Sequence, residues 1–261
     1  MKLPETIRAL TAGKAYSTDS IGKSGSEVRC YEDMVLKIEP RRERFAQDVA
    51  MLRWLRGKLP VPQVLAAEQT GKQQFLLMSR IKGEMACAAP YMQDPEGLVT
   101  LLAEALKTLW TVDTTDCPRE HTLEADLEEA EERVAGGLID MDDLEPETFG
   151  PGGFEDPPAL LAWLQENKPP LEPVLSHGDF CLPNVFFEEG KLSGFIDLGG
   201  CGISDKWRDI ALCHRSLRHN FCGKYAACPR EDFDPDLLFE KLGIAPNWEK
   251  IRYYVLLDEL F

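Results

Sequence analysis

The sequence predicts an α+β chain of two lobes, a small β-rich N-lobe over residues 1–80 and a larger, mainly helical C-lobe over 81–261, with a cleft at their junction. Two observations carry this. The first 80 residues read as short apolar strands around a single helical pattern, whereas beyond Gly83 the apolar residues recur at helical spacing. A chain of 261 residues is also long enough for two lobes around a cleft.

In the N-lobe, MVLKIE (Met34 to Glu39) reads as a strand and QQFLLMS (Gln73 to Ser79) as another, after a turn at Gly71. Between them a helix is expected from about Arg41 to Arg56, stopped by Gly57. Further helices are expected near Glu96 to Trp110 and Leu123 to Ala135. Helical patterns return from Lys206 to Arg218 and from Trp248 onward. The segment 140–158 is rich in Pro, Gly and acid and reads as a loop or an insertion. Val185 to Phe187 and Leu192 to Ile196 flank Glu188-Glu189-Gly190, the pattern of a β-hairpin.

Composition excludes several classes. Lys and Arg total 29 against 45 Asp and Glu, a net charge of −16, which repels nucleic acid and anionic membrane and attracts cations. No stretch approaches the roughly 18 apolar residues of a membrane span, and MKLPETIRAL does not read as a secretory signal. The eight cysteines form no C-x-x-C pair, so they read as reduced thiols of a cytoplasmic protein. The four histidines form no cluster of zinc spacing.

Chemistry concentrates in LSHGDFCLPNVFFEEGKLSGFIDLGG, Leu175 to Gly200. A hairpin brings its open ends together, so Asn184, just before one strand, and Asp197, just after the other, are expected to be neighbours. An amide oxygen beside a carboxylate suits Mg²⁺. Asp179 lies five residues before Asn184 and can reach an incoming hydroxyl. The order H-G-D-x-x-x-x-N followed by Asp197-Leu198-Gly199 matches the catalytic loop and metal-binding Asp of kinases. Lys37, at the end of a Val-Leu-Lys run, stands where a kinase keeps its phosphate-binding lysine. Such a lysine needs a carboxylate. Asp48 falls within the Phe45, Val49, Leu52, Leu55 stripe of the N-lobe helix, so Lys37–Asp48 is the expected ion pair. GKSGS (Gly22 to Ser26) could offer backbone N–H groups to phosphates.

With these motifs in place the chain resembles the aminoglycoside 3′-phosphotransferases over nearly its whole length. The resemblance is carried by WLRGKLPVPQVL (54–65), FLLMS (75–79), LSHGDFCLPNVFF (175–187), GFIDLGGCGISDKWRDIA (194–211) and WEKIRYYVLLDELF (248–261). It implies a bilobal protein-kinase-like fold that moves the γ-phosphate of ATP, with GTP not distinguished from it, onto a cationic aminoglycoside with Mg²⁺. It implies Asp179 as catalytic residue, Asn184 and Asp197 as metal ligands, Lys37 on the α- and β-phosphates, and Ser24 in the phosphate loop. Adenine would lie against Met78, Ser79, Arg80 and Ile81, with Ile196 beneath the ring. Asp209 and His177 would brace the catalytic loop. The acceptor would meet acids of the 140–147 loop, Glu145 and Glu147 among them, together with Asp258, Glu259 and Phe261.

The chain departs from the family's usual pattern at several positions. Asp48 replaces the usual glutamate, and Val35 the aromatic that commonly stacks on adenine. Gly200 stands where arginine is common, and His219 where an acid is expected. The first two bear on nucleotide affinity and the others on acceptor range. Two other readings of the sequence are a kinase for another amino-sugar or amine on the same fold, and a nucleotide-binding protein with little catalysis.

Overall fold

In Met34–Pro40 every second residue, Met34, Leu36 and Ile38, is apolar and buried. That period of two makes a strand with one face in a core. The computed structural model describes residues 3–19, 26–142, 144–225, 230 and 232–261. In chain order it begins with helix α1 (Glu5–Thr11), strands β1 (Ser17–Asp19), β2 (Glu27–Cys30) and β3 (Met34–Pro40), helix α2 (Phe45–Leu55), and strands β4 (Val64–Thr70), β5 (Gln73–Ser79) and β6 (Glu84–Met85). Next come α3 (Ala89–Met92), α4 (Pro95–Trp110), α5 (Leu123–Ala135), α6 (Pro157–Glu166) and β7 (Pro173–Ser176). The remainder is β8 (Val185–Glu188), β9 (Lys191–Phe195), β10 (Gly202–Asp205), α7 (Lys206–Cys222), α8 (Leu237–Leu242) and α9 (Trp248–Asp258).

Two units result: residues 1–84 with 185–199, and residues 85–184 with 200–261. In the first, an antiparallel sheet runs β1-β2-β3-β5-β4. Its core gathers Ile7 of α1 with Tyr31, Met34, Leu36, Ile38, Phe75 and Leu77. In the second, β7 pairs with β10, and Val99, Leu102 and Leu106 of α4, Ile210 and Leu217 of α7, and Tyr253 and Leu257 of α9 are buried. Asp94 and Thr122 cap α4 and α5 by accepting from the Gly97 and Ala125 amides. Among the described residues no helix is long and apolar enough to cross a membrane.

The structure differs from the sequence reading in two informative places. Helix α2 starts at Phe45 rather than near Arg41. The intervening amides are already committed: Arg41 N–H donates to Lys72 O (2.8 Å) and Arg42 N–H to Gln74 Oε1 (2.9 Å). The β8–β9 hairpin groups with the first unit, so the division is not sequential. Phe195 N–H donates to Pro60 O (2.9 Å), and Gly194 leaves room for Ile81, two of whose carbons would lie 2.8 Å from an added Cβ.

Gly83 makes a second close approach to this hairpin. Its φ is +82°, and a Cβ there would stand 2.2 Å from Phe187 O. Gly83→Ala should therefore cost about 1–3 kcal/mol of stability. Chemical denaturation checks this, and an unchanged midpoint would remove the constraint.

Candidate active site

The loop after β7 is shaped by a carboxylate that has left water. Asp209, in the first turn of α7, is fully buried. It accepts from His177 N–H (2.7 Å), Gly178 N–H (3.0 Å) and Ser176 Oγ (3.0 Å). Burial pushes its carboxyl above the ordinary range, against the opposing pull of His177 and these donors. Gly178 holds φ +88°, and a Cβ on it would lie 2.2 Å from Gly200 O. Arg208 Nε donates to Gly178 O (3.2 Å), while its guanidinium pairs with buried Asp126, which His121 also holds. Asp179 is thus presented, exposed, from a loop tied down on both sides. Asn184 Nδ2 donates to Asp179 Oδ2 (2.8 Å) and to Asp179 O (3.0 Å). The amide nitrogen is thereby committed to Asp179, which fixes the direction of the amide oxygen.

The first unit carries the other expected groups. Strand register puts Val35 opposite Met78 and Lys37 opposite Leu76, so Val35, Lys37 and Met78 share one face, turned from the buried Met34, Leu36 and Ile38. Ser79 is engaged in the sheet edge: its N–H donates to Gln63 O (2.9 Å) and its hydroxyl accepts from Gln63 N–H (2.8 Å). Ile81 packs over Gly194, and Ile196 is half-buried beyond β9. Asp197 has φ +57°, an uncommon conformation for a side-chain-bearing residue and one that clusters at functional sites. Its Oδ1 lies 3.1 Å from Lys37 Nζ. Ser24, expected in the phosphate loop, lies outside the described residues.

Lys37 corrects one expectation. Its carboxylate partners are Asp197 and, at 3.4 Å, Glu39, where Asp48 was expected. Glu39 sits two residues along the same strand and hence on the same face as Lys37, whereas Asp48 is half-buried on α2. Burial works against the Lys37 ammonium, but Asp197 and Glu39 outweigh it and raise its pKa. The K-x-E spacing within a strand was the overlooked signal. Among the described residues no group of three His, Cys, Asp or Glu side chains converges as a metal site.

In the second unit three of the acids expected to meet the acceptor, Glu145, Asp258 and Glu259, each lie against a base. Arg215 of α7 pairs with Asp258 and, at 3.3 Å, with Glu259. Arg218 and His219 both pair with Glu145, whose N–H donates to Glu259 Oε2 (2.8 Å). Arg133 donates to the backbone oxygens of Leu260 and Phe261 and lies over the Phe261 ring. Glu147 is exposed. Burial would raise the Glu145 carboxyl, but His219, Arg218 and Arg215 outweigh it and hold it below the usual range. A glutamate at position 219 would face Glu145, so the replacement suggested by the family pattern would set two carboxylates against each other. These partners, drawn from α7, were not visible in local spacing.

Removing Asp209 strands the His177 amide and the Ser176 hydroxyl, whereas Gly178 N–H keeps Ser176 Oγ (3.1 Å). Asp209→Ala should lose about 1–3 kcal/mol for each buried donor left unsatisfied. Calorimetric melting measures it; a melting temperature equal to wild type would show that the loop is held otherwise.

The phosphotransferase enzyme family model matches residues 18–252. An aminoglycoside 3′-phosphotransferase of Enterococcus faecalis is 43% identical over 267 residues, spanning 100% of this chain and 96% of its own length. Among solved structures, an aminoglycoside 3′-phosphotransferase of type VIII superposes with a TM-score of 0.81 at 25% identity, covering 98% of each chain. An aminoglycoside phosphotransferase from Streptomyces rimosus, solved with ADP and streptomycin, has the same fold (TM-score 0.78, 24% identity, 98% and 96% covered). A chain with this loop, this sheet and this match along its full length belongs to the phosphotransferase enzyme family, among the aminoglycoside 3′-phosphotransferases.

Proposed function

We propose that the chain transfers the γ-phosphate of ATP, as its magnesium complex, to a hydroxyl of an aminoglycoside in the cytoplasm. The observation that carries the reading is Asp179, an exposed carboxylate steadied through Asn184 on a loop fixed by Asp209. Asp179 orients the attacking hydroxyl and accepts its proton. Lys37, on the sheet face it shares with Val35 and Met78, holds phosphate oxygens, and those two side chains offer apolar surface to the adenine. Asn184 Oδ1 and Asp197 would hold the metal, which offsets charge on the phosphates when bound. The relatives' names support an aminoglycoside as acceptor, and the acids Glu145, Asp258 and Glu259 suit its ammonium groups.

The balanced acids favour a second reading in one respect. An incoming ammonium must displace or share Arg215, Arg218 or His219, so the pocket also suits a smaller amine. Phosphorylation assayed across kanamycin-like aminoglycosides and simple amino-sugars separates the two.

Asp179→Asn should lower kcat by about 10²–10⁴-fold, because an orienting base is lost. MgATP affinity, followed by calorimetry, should stay near wild type. Retention of more than about a tenth of the wild-type kcat would exclude that role. At the acceptor, Asp258→Asn should raise acceptor KM about three- to tenfold, since a charged hydrogen bond is replaced by a neutral one. ATP KM should not move. An unchanged acceptor KM at low and at high salt would rule out this acid as a contact.

A further inference from the structure

The nucleotide reading raises a question of charge within the first unit. Lys37 Nζ stands between two carboxylates, Asp197 Oδ1 at 3.1 Å and Glu39 Oε1 at 3.4 Å. Magnesium and Lys37 would compete for Asp197, since a carboxylate that turns its oxygens to a dication has less to offer an ammonium. We propose that Glu39 is the positioning residue that holds Lys37 on the phosphates, so that this function lies on the lysine's own strand and not on α2. The proposal rests on the nucleotide reading given above.

Three observations support it. Glu39 shares the sheet face with Lys37, two residues along β3, so no movement of a helix is needed to bring them together. Glu39 is itself clamped from both neighbouring strands. Ser26, next to the Glu27↔Ile38 pair, donates its hydroxyl to Oε1 (3.0 Å). Gln74, directly opposite Glu39 on β5, donates Nε2 to Oε2 (3.1 Å). Gln74 is in turn oriented by Arg42 N–H on its Oε1 (2.9 Å). The Glu39 side chain is only 11% exposed, and a carboxylate so enclosed requires a cation; Arg42, at 3.7 Å, is farther than Lys37. Ser26 also closes the GKSGS segment, so one run of hydrogen bonds leads from the end of that segment through Glu39 to the lysine.

Glu39→Gln keeps the shape and removes the charge. Calorimetric titration of the full chain with MgATP, MgADP and adenosine reads the outcome, with Asp48→Asn as comparator. Loss of a charged partner should weaken MgATP and MgADP by about tenfold. Adenosine, which has no phosphate for Lys37 to hold, should bind as it does to wild type, and Asp48→Asn should cost less than Glu39→Gln. Gln74→Leu, which removes one clamp and leaves the charge, should weaken ATP and ADP in the same pattern by a smaller factor, and it serves if Glu39→Gln does not fold. The proposal is overturned if Glu39→Gln and Gln74→Leu bind MgATP as tightly as wild type, if adenosine is lost in parallel, or if Asp48→Asn causes the larger loss. A wild type that binds adenosine and MgATP while the Glu39 variant matches it sinks this proposal alone. A wild type that binds neither sinks the nucleotide reading with it.

Discussion

A carboxylate removed from water must collect hydrogen-bond donors, and Asp209 collects three from one short stretch of chain. The shape of the loop follows from this. Two successive amides, of His177 and Gly178, turn inward to reach the same side chain, and the next residue, Asp179, is thereby turned outward. The left-handed conformation of Gly178 is part of the same geometry, and Arg208 fastens its carbonyl from the other side. The Asp179 carboxylate is exposed because a second carboxylate, that of Asp209, is not.

The same rule governs the rest of the acidic chain. A net charge of −16 suggests open negative surface, yet the acids that matter most are paired. Asp126 is shared between His121 and Arg208, Asp205 between Lys250 and Tyr254, and Asp258 and Glu259 meet at Arg215. On the proposed acceptor reading, cation recognition in the second unit would be an exchange of partners, set by how readily α7 yields its bases as well as by how many acids are present.

What was legible in the sequence was whatever local order encodes. The H-G-D-x-x-x-x-N and D-L-G signatures singled out Asp179, Asn184 and Asp197 as candidates, and short apolar runs marked β3 and β5. The bounds of α5 matched because Thr122 and Gly136 mark them in the chain itself. The less legible features depend on tertiary partners. Nothing local says that Lys72 O and Gln74 Oε1 take the amides that would have begun α2 four residues earlier. Helical periodicity pointed to Asp48 as the partner of Lys37 because it compares positions on one helix. The K-x-E spacing along β3 was the local alternative that it passed over, whereas the register that sets Ser26 and Gln74 on either side of Glu39 is tertiary. Arg215 and Asp258 lie 43 residues apart, a pairing that no spacing rule reaches.

The crossing of Gly178 and Gly200 also bears on how this chain can change. A Cβ on Gly178 would stand 2.2 Å from the Gly200 carbonyl, and one on Gly200 would stand 3.3 Å from the Gly178 Cα. The two positions form one joint. A side chain at 200 demands that the neighbouring backbone give way slightly in the loop that carries Asp179. Substitution at 200 is therefore tied to the backbone geometry of that loop, whereas exchange of a base on α7 leaves this joint untouched.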